Sequence, residues 1–193
     1  MSVAAYLVCH HDRTLLGLGE PVGAPAGGVS AFSHHTGARS EATFARGLWK
    51  YLDDCPGDGV ALHFDSDPEF EGCAGYREIG GDPEDGGLPL SDYIAGDAEE
   101  PAVYYAKLRP GHPRSNPSGI VRRRGASTPR DEAFTRNLRW ETTEFLRRAA
   151  IGLDDTDFVE VPESEAVDFV LRLLAARLRP GRHQDGQRSV GDL

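Results

Sequence analysis

Three groups of residues in this chain have side chains suited to binding or reaction. The first is the run Arg122-Arg123-Arg124, followed by Arg136 and Arg139. Guanidinium groups grip phosphate or carboxylate in a two-pronged fashion. On a strand, Arg122 and Arg124 share one face and Arg123 points to the other. A sheet face showing Arg122 and Arg124 beside Arg139 and Asn137, with Tyr104 and Tyr105 near for stacking, has the makings of a phosphate- or RNA-binding surface, whose candidate residues are Arg122, Arg124, Arg136 and Arg139. Between Lys107 and Arg148, 11 basic residues stand against 4 acidic ones, a local charge of +7.

The second group is rich in metal-ligand types. Cys9, His10 and His11 fall at an expected turn, His34-His35 precedes an expected helix, and His63-x-Asp65-x-Asp67 closes an expected strand. Imidazole and carboxylate together hold zinc-like ions, so His10, His11, His63 and Asp65 are the ligand set of a metal-dependent enzyme reading. No Cys-x-x-Cys or His-Glu-x-x-His spacing accompanies them, and the leading reading requires no cofactor. The third group is acidic: Asp65, Asp67, Glu69 and Glu71, then Asp82, Glu84 and Asp85. It lacks the spacing of a calcium loop. Such carboxylates steer a basic partner toward the chain, and Tyr76 or Tyr93 would supply an aromatic anchor.

Nucleophilic catalysis has less support. There is no Gly-x-Ser-x-Gly elbow and no phosphate loop, and Cys9 and His10, as neighbours on a strand, point apart. The chain therefore reads as non-enzymatic.

Charge is distributed unevenly over the 193 residues, which carry a formal net charge of -10. Residues 1 to 97 hold 5 Lys+Arg against 16 Asp+Glu, net -11, and residues 98 to 193 hold 16 against 15, net +1. An acidic field favours basic partners and repels nucleic acid and anionic membranes. Only Lys50 and Lys107 are lysines, the arginine bias of a GC-rich genome. Three cysteines, Cys9, Cys55 and Cys73, are too few and scattered for a disulfide framework, which points to a reducing cytoplasm. No secretory leader pattern and no membrane-length apolar run is found.

The elements that must position these groups follow from periodicity. Val3–Val8 and Thr14–Leu18 form a hairpin pattern, Val29–Ser33 a third strand, and Val60–Asp65 a strand with Val60, Leu62 and Phe64 on one face. Ser40 caps a helix that turns Phe44, Leu48, Tyr51, Leu52 and Cys55 inward. Tyr76–Ile79 adds a short strand, Gly80–Gly87 an acidic loop, Leu88–Ile94 a brief helix and Asp97–Pro101 a linker. Beyond it the strand segments are Tyr104–Leu108, Gly119–Arg124 and Phe134–Trp140, the last with Phe134, Leu138 and Trp140 on one face. Thr142 caps a helix bearing Phe145, Leu146, Ala149 and Ala150. Asp157–Val161 is a strand, and Pro162 opens a helix with Val167, Val170, Leu171, Leu174 and Leu178 inward. Trp49 and Trp140 read as packing anchors.

The segments Tyr104-Tyr105-Ala106-Lys107-Leu108-Arg109 and Ala133-Phe134-Thr135-Arg136-Asn137-Leu138-Arg139-Trp140 resemble parts of uncharacterised actinobacterial proteins over residues 102 to 170. The resemblance implies no activity. Taken together, these patterns predict an α+β protein of two small units, each a short, mostly antiparallel sheet packed with one or two helices. The units are an acidic one over 1–97 and one with an Arg-rich sheet face over 98–180, followed by a disordered tail over 181–193. The expected function is that of a cytoplasmic protein-interaction module, an acidic inhibitor or immunity-like binder of another protein. The alternatives are a phosphate- or RNA-binding protein and a metal-dependent enzyme.

Overall fold

A computed structural model describes residues 3–23, 29–33, 41–55, 60–97, 101–109, 113–125 and 127–177. The class is α+β with two mostly antiparallel sheets. In chain order the elements are β1 (Ala5–Cys9), β2 (Thr14–Gly23), β3 (Val29–Ser33), α1 (Glu41–Asp54), β4 (Val60–Phe64), β5 (Arg77–Ile79) and α2 (Leu90–Ile94). They continue as β6 (Ala102–Leu108), β7 (Gly119–Arg124), β8 (Arg130–Phe134), β9 (Trp140–Thr142), α3 (Phe145–Ala150), β10 (Asp157–Val161) and α4 (Glu163–Arg177). No helix among the described residues is long and apolar enough to cross a membrane.

The first sheet runs β3-β2-β1-β4, and β5 lies parallel beside β2. Tyr6 pairs with Gly17 but Ala5 with Gly19, a register shift at which Gly19 adopts φ 89, a conformation that suits glycine. Phe64 lies opposite Ala5, and Ile79 lies beside Leu16. The chain therefore leaves β4 at the Ala5 end and returns to the hairpin end to begin β5. On the way it forms a short 3-10 turn, Pro68–Cys73, whose Phe70 and Cys73 pack on Tyr6, Val8 and Leu15.

The second sheet runs β10-β6-β7-β8-β9. Its inner face shows Tyr104, Ala106, Ile120 and Val161, while its outer face carries Val121 beneath Phe145 and Leu146 of α3. Helices α1 and α4 occupy the space between the inner faces. One cluster of buried side chains includes Leu7, Leu16 and Leu18 of the first sheet, Leu48 and Leu52 of α1, Tyr104 and Ile120 of the second sheet, and Val170 and Leu174 of α4. Trp49 of α1 stacks on Tyr104 at 5.9 Å and meets Trp140 edge-on at 5.4 Å, so aromatic packing joins the two halves of the chain.

Two further features hold α1. Its Tyr51 hydroxyl accepts from the Cys9 N–H at 2.9 Å and lies 2.9 Å from the Thr14 carbonyl and 3.1 Å from that of Leu7. Burial pushes the Tyr51 pKa up to about 12. Gly47 faces α2 so closely that an added Cβ would lie 2.4 Å from Leu90 Cδ1, so a side chain there would oblige the buried Leu90 to move.

The structure corrects three expectations. Phe134–Trp140 is not one strand. Phe134 pairs with Trp140 across a hairpin in which Leu138 takes φ 57 while staying buried, so a turn with an inward leucine mimics alternation. The hydroxyl bonded at the start of α3 belongs to Thr143, which accepts from the Phe145 N–H, while Thr142 lies in β9. Cys9 and Cys55 form a disulfide across a sequence separation of 46, leaving Cys73 free and buried. Spacing alone could not show that β1 and the end of α1 are neighbours. His34-His35, the Ser40 cap, Leu178 and the 181–193 tail lie outside the described residues.

Candidate functional site

Strand alternation sends Arg122 and Arg124 to the inner face of the second sheet, toward α1. Arg122 is only 3% exposed. Its Nε donates to Glu132 at 2.7 Å, its Nη2 donates to both Asp53 oxygens at 3.0 and 3.1 Å, and its guanidinium lies 4.3 Å from the Trp140 ring centre. Arg124 donates to the same Asp53 at 3.2 Å. A buried cation needs such partners, and here one comes from the adjacent strand and one from the acidic half of the chain. Arg136 and Arg139 are elsewhere, in the β8–β9 hairpin, where Arg139 donates to Glu141 at 2.7 Å. The four arginines thus do not form one face. Outside this set, Arg123 pairs with Asp131, Arg147 with Glu144, and Arg114 with Glu165, whose carboxyl that guanidinium holds below its ordinary range.

The metal-type residues are only partly brought together. His10 and His63 stack edge-to-face at 5.8 Å, and His63 Nδ1 lies 3.9 Å from Glu69. The buried Nε2 of His63 has no hydrogen-bond partner among the described residues. His11 turns instead to Asp12 at 2.7 Å, and Asp65 sits at the Ala5 end of the sheet, where its N–H donates to Ala4. Among the described residues, no group of three or more His, Cys, Asp or Glu stands close enough to hold a metal ion.

The acidic residues occupy the connections on either side of β5. Asp65, Asp67, Glu69 and Glu71 follow β4, and Asp82, Glu84 and Asp85 follow β5. Both strands end toward the same edge of the first sheet, so Asp65 and the Asp82–Asp85 turn lie at one end of it. The Tyr6 phenol, raised first by burial and then by the Glu78 and Asp65 carboxylates, stands between these segments. Only local contacts engage the acidic groups: Asp67 accepts from the Phe64 N–H, Asp82 from the Glu84 N–H, and Glu69 approaches His63. None forms an ion pair with Lys or Arg among the described residues. Tyr76 lies under Arg13 and beside His10, and Tyr93, its pKa raised first by burial and then by Asp54, donates to that carboxylate.

A cleft of about 740 Å³ opens between α1 and the second sheet. Arg46, Trp49, Lys50 and Asp53, spaced to share one helix face, form its α1 wall. At its floor Glu163, in the first turn of α4, accepts from Trp49 Nε1 at 2.8 Å and from the Tyr104 hydroxyl at 3.0 Å, both at Oε1. Burial and the Glu163 charge hold Tyr104 well above the ordinary tyrosine value. Asp53, Glu132, Glu163 and Glu78 were not singled out from sequence. Asp53 belongs to the polar stripe of α1, a signal that is present in the sequence, whereas Glu163 stands in the first turn of α4, where acidic residues are common. Compared with known proteins, the chain matches no family model, no curated protein and no solved structure.

Proposed function

We propose that this chain is a non-enzymatic interaction module that engages a basic protein through the acidic end of its first sheet. The observation that carries this reading is a contrast in charge pairing. Arg122, Arg123, Arg124, Arg139, Arg147 and Arg114 of the second half are engaged by carboxylates of the same molecule. By comparison, Asp65, Glu71, Glu84 and Asp85 are exposed and have no cationic partner among the described residues. Exposed charges of one sign contribute chiefly to the rate of encounter with a partner of the other sign. Tyr6 and Phe70, 5.0 Å apart, supply an aromatic centre beside them.

The test compares the wild-type chain with a variant carrying Asp65→Lys, Glu69→Lys, Glu71→Lys and Glu84→Lys. Each is used to capture protein from nuclease-treated host lysate, and the association rate with the captured protein is measured over a range of salt. The expected result is a discrete basic protein held by wild type, with association slowed by at least about tenfold in the variant and by added salt. Equal capture and equal rates for the two chains would overturn the proposal, as would capture abolished by nuclease.

A further inference from the structure

The cleft between α1 and the second sheet has a charge balance that selects its occupant. Four basic residues (Arg46, Lys50, Arg122 and Arg124) and six acidic ones (Asp53, Asp54, Asp97, Glu132, Glu160 and Glu163) line it, a net of -2. Arg122 and Arg124 share Asp53, and Arg122 also holds Glu132, so these four charges balance among themselves. Lys50 reaches Asp54 at 3.0 Å and Asp97 at 3.9 Å. Glu163 differs from all of these, because its bonded partners, Trp49 and Tyr104, are neutral. Both donate to Oε1, and Oε2 has no partner among the described residues. Glu163 also lines a second cavity of about 250 Å³ whose other charged residues, Glu41 and Asp168, are acidic.

We propose that the larger cleft binds an organic cation, a primary ammonium or guanidinium group on a short alkyl chain, with Glu163 Oε2 as its counter-charge. The size suits a small ligand. Pro101, Ala102, Val161 and Pro162 provide apolar wall for the alkyl chain. An anion would have to displace Asp53 from Arg122 and Arg124. A calcium or magnesium ion would need six or more oxygen ligands, whereas one oxygen of Glu163 is already occupied by two donors. The Trp49 and Tyr104 bonds fix the Glu163 rotamer before a ligand arrives, so little ordering remains to oppose binding. This site is separate from the acidic end of the first sheet and does not depend on it.

Agmatine, which carries a guanidinium at one end and an ammonium at the other, is the probe, titrated calorimetrically into the full chain with calcium chloride and inorganic phosphate as controls. Glu163→Gln keeps an amide oxygen for Trp49 and Tyr104 while removing the charge. The expected result is saturable binding of agmatine alone, weakened on the order of tenfold or more by Glu163→Gln. Ala102→Trp, at a lining position that shares the inner face with Tyr104 and Arg124, crowds the cleft and weakens binding while leaving the Trp49 and Tyr104 bonds to Glu163 in place. Glu84→Gln, at the acidic end, leaves binding unchanged. Absence of agmatine binding overturns the proposal. So does binding as tight as that of wild type by either the Glu163→Gln or the Ala102→Trp chain, or calcium binding that competes with agmatine at equal concentration.

Discussion

Arg122 opens a run of three consecutive arginines, yet its neighbours in space are Asp53, Glu132 and Trp140. Strand alternation correctly separated Arg123 from Arg122 and Arg124. It could not show which face met the rest of the protein, because that depends on where α1 packs. Arg122→Met removes the charge at nearly constant volume and leaves two carboxylates facing an apolar surface. We expect a loss of about 3 kcal/mol, since Asp53 keeps Arg124 and some solvent. Adding Glu132→Leu should restore part of it. Urea unfolding measures both, and an unchanged midpoint for Arg122→Met would show that the pair carries no stabilising role.

At the scale of elements, period was a good guide wherever one face was buried. In β4, Val60, Leu62 and Phe64 pack on the main cluster as alternation required, and α1 buries Phe44, Leu48, Tyr51 and Leu52. The β8–β9 hairpin was hidden because Leu138 reaches the core from a left-handed turn. The Cys9–Cys55 bond was hidden for another reason: it joins β1 to the end of α1, and pairing across 46 residues depends on tertiary geometry that no local pattern carries. Loop-closure entropy makes such a cross-link worth about 2–4 kcal/mol. Denatured chain without reductant should expose one thiol to labelling, that of Cys73, and with reductant three. Reduction should also lower stability by that amount. Three reactive thiols before reduction would show that the bond does not form.

Over the whole molecule, the charge division read from sequence coexists with a shared core. The acidic half contributes Asp53 and Trp49 to contacts with the basic half, and buried residues of both sheets meet between α1 and α4. Nothing in the composition of either half announced this, since each holds enough apolar residues to suggest a core of its own. We expect the halves to unfold together. Indole fluorescence, dominated by the Trp49–Trp140 pair, should change at the same denaturant concentration as far-ultraviolet circular dichroism. Two separated transitions would mean that each half keeps its fold without the other.

The contact between Gly47 and Leu90 sets a limit on how this chain can diverge. Asp65, Glu71, Glu84 and Asp85 around β5 are exposed and can exchange for other residues without displacing a neighbouring element. Position 47 cannot acquire a side chain unless Leu90 yields space, because the two elements meet where glycine leaves a groove. Drift at these two sites is therefore correlated: a larger residue in α1 comes with either a displaced Leu90 or a smaller residue in its place.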